Sequence, residues 1–94
     1  MNEYIVKMKN KIVALRADLE ERSKLLNDLD MATTFIPSND DSLDTLSVTM
    51  LTNVGFDLRT ARNRLNEAIN NVQLAINELD NIIHVEKEEE RYEN

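Results

Sequence analysis

The sequence predicts an all-α chain, folded as an antiparallel helical hairpin with a long, coiled-coil-like second helix. Three observations carry this prediction. The 94 residues hold one Gly and one Pro, far too little punctuation for the turns of a sandwich, barrel or βαβ chain. Apolar residues recur at alternating steps of three and four along most of the chain, the signature of a heptad seam. The one dense cluster of turn and cap formers, Ser38-Asn39-Asp40-Asp41-Ser42, lies between the two periodic stretches. A chain of this length is a single domain, taken here as 1–94.

The first helix is expected over about 2–30. Ile5, Met8, Ile12, Leu15, Leu19, Arg22, Leu26 and Leu29 keep 3-4 spacing, with Arg22 as the one polar member. Lys7, Lys11, Arg16, Asp18, Glu20 and Glu21 fall between them and suit a solvated face. Arg22 either fixes the pairing register, as buried polar seam residues do, or snorkels outward on a packed stem.

A loop is expected over about 31–41. Thr33 and Thr34 are β-branched, and Ile36 precedes Pro37, which disfavours helical geometry before it. Ser38 with Asp41, or Asp41 with Asp44, offers an N-cap and an acidic first turn for the next helix. Phe35-Ile36-Pro37 is an apolar patch in this polar loop, either tucked over the end of the bundle or exposed to a partner. In the exposed case Phe35, Ile36, Asp40, Asp41 and Asp44 form a partner-facing loop.

The second helix is expected over about 42–90 and carries the strongest periodicity. Leu51, Val54, Leu58, Ala61, Leu65, Ala68, Val72, Ala75, Leu79 and Ile82 are all apolar at 3-4 spacing, and Ile69, Ile76 and Ile83 form a second row beside them. A stripe this wide fits a helix with more than one neighbour. The small residues Ala61, Ala68 and Ala75 would let another helix approach closely, most naturally in an antiparallel pair. Gly55 lowers helix propensity, yet the heptad phase passes through it unbroken. One long helix, with a bend allowed at Gly55, is favoured over a three-helix bundle of 2–30, 42–53 and 57–90.

At about 1.5 Å per residue, the two helices measure roughly 42 and 70 Å. The second would then outrun the first by about five turns, carrying its apolar stripe into the overhang. A homodimer forming a four-helix bundle is the expected remedy. The acidic tail, about 86–94, lacks apolar periodicity and is expected to fray.

The net charge is −7, and no Lys or Arg lies between Lys24 and Arg59, where six Asp fall. That balance argues against nucleic-acid binding. Arg59, Arg62 and Arg64, with Lys7, Lys9 and Lys11, are expected to face acidic residues of the other helix or of another subunit. The absence of Cys removes disulfide, zinc-ribbon and thiol chemistry. Asp80, His84 and Glu88 share one helix face at metal-ligand spacing, but the position opposite the seam favours a solvated, incidental His. No Gly-rich phosphate loop and no nucleophile–base pair appears. Leu74 falls outside the stripe, either marking a second contact or as an ordinary isolated surface leucine. No run is long enough to span a bilayer and no signal core appears, so a cytoplasmic setting is the default, with secretion lacking a cleaved signal peptide left open. Twelve Asn residues fit a low-GC bacterium or its phage.

The function expected is therefore non-enzymatic, with no cofactor, metal or small-molecule substrate. The chain would act through protein–protein interaction, as an adaptor, assembly chaperone or inhibitor, with another protein or a second copy as partner. A second possibility is an acidic decoy, or nucleic-acid mimic, that occupies a basic groove. In size, acidity and hairpin pattern the chain also resembles the ESAT-6-like partners of type VII secretion. The Trp-x-Gly turn of that family is missing, with Val54-Gly55-Phe56 as the near-central analogue. Tyr92 lies too near the end for the family's tail signal, so the resemblance covers shape alone.

Overall fold

The computed structural model describes residues 2–39 and 42–93. Two helices, α1 (Glu3–Asn39) and α2 (Thr45–Glu93), lie antiparallel along one another. Among the described residues there is no strand. The all-α hairpin is the architecture the heptad pattern predicts.

Each helix begins on a side-chain cap. The Asn2 Oδ1 accepts the Tyr4 backbone N–H at 2.9 Å, and the Asn2 carbonyl accepts the Val6 N–H at 3.3 Å. Asp44 does the same for α2. Its Oδ1 accepts from the Ser47 N–H at 2.6 Å, and its carbonyl accepts from Val48 at 3.0 Å. These bonds satisfy donors that a helix start leaves without intrahelical partners. The cap is therefore Asp44 itself. The start of α2 moves from residue 42 to Thr45, and Asp40 and Asp41 lie outside the described residues.

The end of α1 corrects the expected stop at Asp30. The helix runs through Met31–Ile36 and past Pro37 to Asn39. Met31 and Ala32 are good helix formers, and the Thr33 hydroxyl bonds back to the Asp30 carbonyl at 2.7 Å, which reconciles a β-branched residue with the helix. Proline has no N–H for the carbonyl one turn earlier, and the helix ends two residues after it. Phe35 and Ile36 are thus helical rather than in a loop, and they remain exposed instead of plugging the bundle. In the Thr-rich start of α2, Thr49, Thr52 and Thr60 bond likewise to carbonyls four residues earlier.

These boundaries remove the expected overhang. The molecule is 75 Å long and 15 × 14 Å across, the length that a straight 49-residue α2 requires at about 1.5 Å per residue. The Asn2 N–H bonds Glu86 Oε2 at 3.0 Å, so the start of α1 reaches that level of α2. Only the acidic turns after Glu86 project beyond it, and they carry no apolar stripe. The tail continues as helix to Glu93.

Gly55 lies inside α2, which is continuous, so the three-helix alternative falls. Its value is close approach. A Cβ built on Gly55 would sit 2.5 Å from Thr33 Oγ1 and 3.3 Å from Asp30 Oδ1. Gly55 is buried against α1, and no bend at this position is needed to explain it.

The packed face of α2 uses two rows. Leu51, Leu58, Leu65, Val72 and Leu79 form one, and Gly55, Arg62, Ile69, Ile76 and Ile83 form the other, all buried or half-buried. Ile76 at 3% exposure and Leu79 at 8% are the buried hydrophobics among the described residues. A two-helix hairpin has no deeper interior to offer.

Candidate interaction surface

The two flanks of the seam differ in chemistry. On α1 the residues facing α2 are Ile5, Ile12, Leu19 and Leu26, alternating with Lys9, Arg16, Ser23 and Asp30. The other members of the expected seam, Met8, Leu15, Arg22 and Leu29, lie one position back, and of these Leu15, Arg22 and Leu29 are exposed. Half of the seam expected for α1 is therefore replaced by a polar row.

That polar row meets its complement on α2 one heptad at a time. Lys9 forms an ion pair with Asp80, and Arg16 Nη1 donates to Gln73 Oε1. Ser23 Oγ donates to Asn66 Oδ1 at 2.6 Å, and Asp30 Oδ1 lies 3.3 Å from Arg59 Nε. Every step of seven along α1 is answered by a step of seven back along α2. Arg62 braces the last rung, donating to Asn27 Oδ1 at 2.8 Å and lying 3.9 Å from Asp30 Oδ2. Asp30 is 13% exposed, so this carboxylate is held between two guanidinium groups in a partly dry site. Of the six basic residues expected to face acids, Lys9, Arg59 and Arg62 meet acidic residues of the other helix, while Lys7, Lys11 and Arg64 are exposed.

The opposite flank carries the apolar rows that the seam does not use. Its α2 row is Val54, Ala61, Ala68, Ala75 and Ile82, and its α1 row is Met8, Leu15, Arg22, Leu29 and Ile36. The register fixed by the polar rungs brings Met8 level with Ile82, Leu15 with Ala75, Leu29 with Ala61 and Ile36 with Val54. Leu15, Leu29, Ile36, Val54 and Ile82 are 44–47% exposed, each half-covered by the facing helix. Tyr4, Leu25, Met50 and Val85, at 53–68% exposure, lie at the margins in rows that otherwise carry Lys11, Asp18, Asp57, Arg64, Asn71 and Glu78, a polar rim to the strip. Shallow open grooves follow this flank, lined by Tyr4, Lys7, Met8 and Lys11, and by Ile82, Val85 and their acidic neighbours.

The predicted interface residues divide accordingly. Leu51, Leu58, Leu65, Ile69, Val72, Ile76, Leu79 and Ile83 pack against α1. Val54, Ala61, Ala75 and Ile82 are exposed, and Ala68 is half-buried. The alanine row does not receive α1, because the polar ladder and Gly55 turn the isoleucine row toward it instead.

The remaining features are surface chemistry. Arg22 Nε pairs with Asp18 Oδ2 at 3.1 Å on its own helix, and both are exposed. His84 is 74% exposed, with Nε2 3.6 Å from Glu88 Oε1, while Asp80 is engaged by Lys9, so the three do not converge. Among the described residues no group of three potential ligands is placed to hold a metal ion. Two Ser47 donors, its backbone N–H first and then its side chain, hold the Asp44 carboxyl below its ordinary pKa. Leu74 is exposed, and no helix among the described residues is long and apolar enough to cross a membrane. Val54-Gly55-Phe56 falls inside α2, not at the turn between helices. Comparison with known proteins gives no match to a family model, to a curated protein or to a solved structure.

Proposed function

We propose that this chain is a non-enzymatic helical hairpin that works by helix–helix association with another polypeptide. The observation that supports it is the flank built from the Met8-to-Ile36 and Val54-to-Ile82 rows. It is a two-helix apolar strip with Arg22 as its one charge, on a chain that is 31% charged. Single exposed hydrophobics are ordinary, but a contiguous strip of this kind marks an interaction surface. Adaptor, assembly chaperone and inhibitor are all roles of this type. The test is photocrosslinking in the native host, with a crosslinking amino acid at Leu15 or Ala75 and a control at Asn63 on the far side. Adducts with protein at the flank positions and none at Asn63 support the proposal. Equal, background crosslinking at all three overturns it.

An acidic decoy of a basic groove is the second reading, resting on exposed Asp28, Asp44 and Asp57 at the loop end. Asp30, by contrast, is engaged within the hairpin. Partner binding that collapses steeply with added salt would favour the decoy over the apolar flank.

A further inference from the structure

The same flank has a property that points to its occupant. Read along α1 it runs large, Leu15, Arg22, Leu29, large, and read along α2 it runs Val54, Ala61, Ala68, Ala75, Ile82. Both rows read nearly the same from either end, and the centre of both, Arg22 with Ala68, lies at one level of the hairpin. A surface that matches its own reversal is what an isologous two-fold contact requires, in which residue i meets j′ and j meets i′.

We infer that the occupant is a second copy of this chain, docked antiparallel, with the two-fold axis passing through the shared level of Ala68 and Arg22. This rests on the association reading above and specifies its partner. In the assembled four-helix bundle, α2 lies on the partner's α2 through the alanine row, Ala61 over Ala75 and Ala68 near itself. The absence of larger side chains there lets the two helices approach closely. Across α1, Leu15 meets Leu29 and Met8 meets Ile36, so the layers at Leu15 and Leu29 each combine two large residues with two alanines, while the end layers, where Ile82 meets Val54, are large throughout. Arg22 falls near the axis opposite the partner's Arg22, each head turned aside to the Asp18 of its own chain, which offsets its charge. There it opposes sliding of one copy past the other, as a lone polar seam residue does.

The area is sufficient. From Met8 to Ile36 the strip runs about 42 Å at about 1.5 Å per residue, and two adjacent helices make it roughly 800 Å² per copy, the size of a standard stable interface. Orientation also follows from charge. Residues 25–58 at the loop end hold six Asp and no Lys or Arg. The antiparallel arrangement sets each such end beside the partner's less negative end, where exposed Lys7 and Lys11 accompany the acidic tail and Lys9 is already paired with Asp80, whereas a parallel one would set it beside its own kind.

Because the chain has no Cys, single-cysteine variants report the geometry cleanly. Sedimentation equilibrium at tens of micromolar is expected to give twice the 10.9 kDa chain mass. Under mild oxidation Ala68→Cys is expected to crosslink to itself, since disulfides need Cα atoms within about 4.4–6.8 Å. Ala61→Cys and Ala75→Cys are expected to crosslink when mixed and not when alone. Leu15→Asp is expected to weaken the dimer by roughly a hundredfold while leaving helicity intact, because Leu15 lies at the half-exposed edge of the intrachain seam, whose Ile12 and Leu19 remain. A monomer at these concentrations overturns the inference, as does a dimer indifferent to Leu15→Asp. So does self-crosslinking of Ala61→Cys and Ala75→Cys. A monomer that nevertheless crosslinks another host protein through the flank overturns the second copy and leaves the broader association reading standing.

Discussion

Gly55→Ala tests the closest approach of the two helices, and its sign reverses with the residue opposite. In an isolated helix, Gly to Ala gains about 1 kcal/mol. In this hairpin the new methyl would sit 2.5 Å from Thr33 Oγ1, well inside van der Waals contact. The hydroxyl is one bond from a stiff β-branched carbon and is held by its bond to the Asp30 carbonyl, so relief means losing that bond or parting the helices. Overpacking of this kind costs about 1–3 kcal/mol, and the hydroxyl bond is worth about 1 kcal/mol. Set against the propensity gain, Gly55→Ala should destabilise by about 1–2 kcal/mol. In a Thr33→Ala background the obstructing oxygen is gone, and the same substitution should stabilise by up to about 1 kcal/mol. Urea denaturation followed by circular dichroism, at one fixed protein concentration for all four chains, measures the cycle. If Gly55→Ala stabilised both backgrounds equally, the helices would not meet at Gly55, and the reason given for the glycine would be wrong.

Ile76→Ala, at the driest point of the seam, should cost about 2–3 kcal/mol, whereas exposed Leu74→Ala should stay within about 0.5 kcal/mol; similar losses at both would sink the assignment of the isoleucine row to α1. Asp30→Ala leaves Arg59 and Arg62 without their shared carboxylate and should cost about 1–2 kcal/mol, an effect that shrinks at high salt. A salt-independent loss would argue against an ionic origin. Asp44 has a lowered carboxyl pKa in the folded chain, so its stabilisation is complete above the ordinary carboxylate range and fades as pH falls through the lowered value. The melting temperature of Asp44→Ala should therefore trail the native chain at neutral pH and converge with it in acid. A gap that survives to the lowest accessible pH would count against the cap.

Periodicity made the hairpin legible because heptad spacing survives every local ambiguity. Leu51, Leu58, Leu65, Val72 and Leu79 could be assigned to the seam directly. Their companion row could not, since Ala61, Ala68 and Ala75 are as apolar in pattern as Ile69, Ile76 and Ile83. The choice was made by Lys9, Arg16, Ser23 and Asp30, polar residues that an apolar search passes over. Their signal was present in another form, as complementary side chains recurring at one heptad in opposite directions along the two helices. The end of α1 lies beyond the stop that Thr33 and Pro37 predict as helix breakers. One is accommodated by a hydroxyl bond, and the other lies within the final turn, where it interrupts little.

The polar ladder also settles which of several equally greasy alignments the hairpin adopts. Sliding α1 by seven residues returns an aliphatic residue to most positions of the seam, leucine or isoleucine, so apolar contact alone barely tells the alignments apart. Slid one way, Lys9 would confront Lys87. Slid the other way, Asp30 would lose Arg59 and face Thr52. Each mistake leaves a charge stranded or opposed at the helix boundary, a penalty that hydrophobic burial does not impose. The four rungs act as a combination lock: they add little to the strength of the pairing, but only one setting opens it.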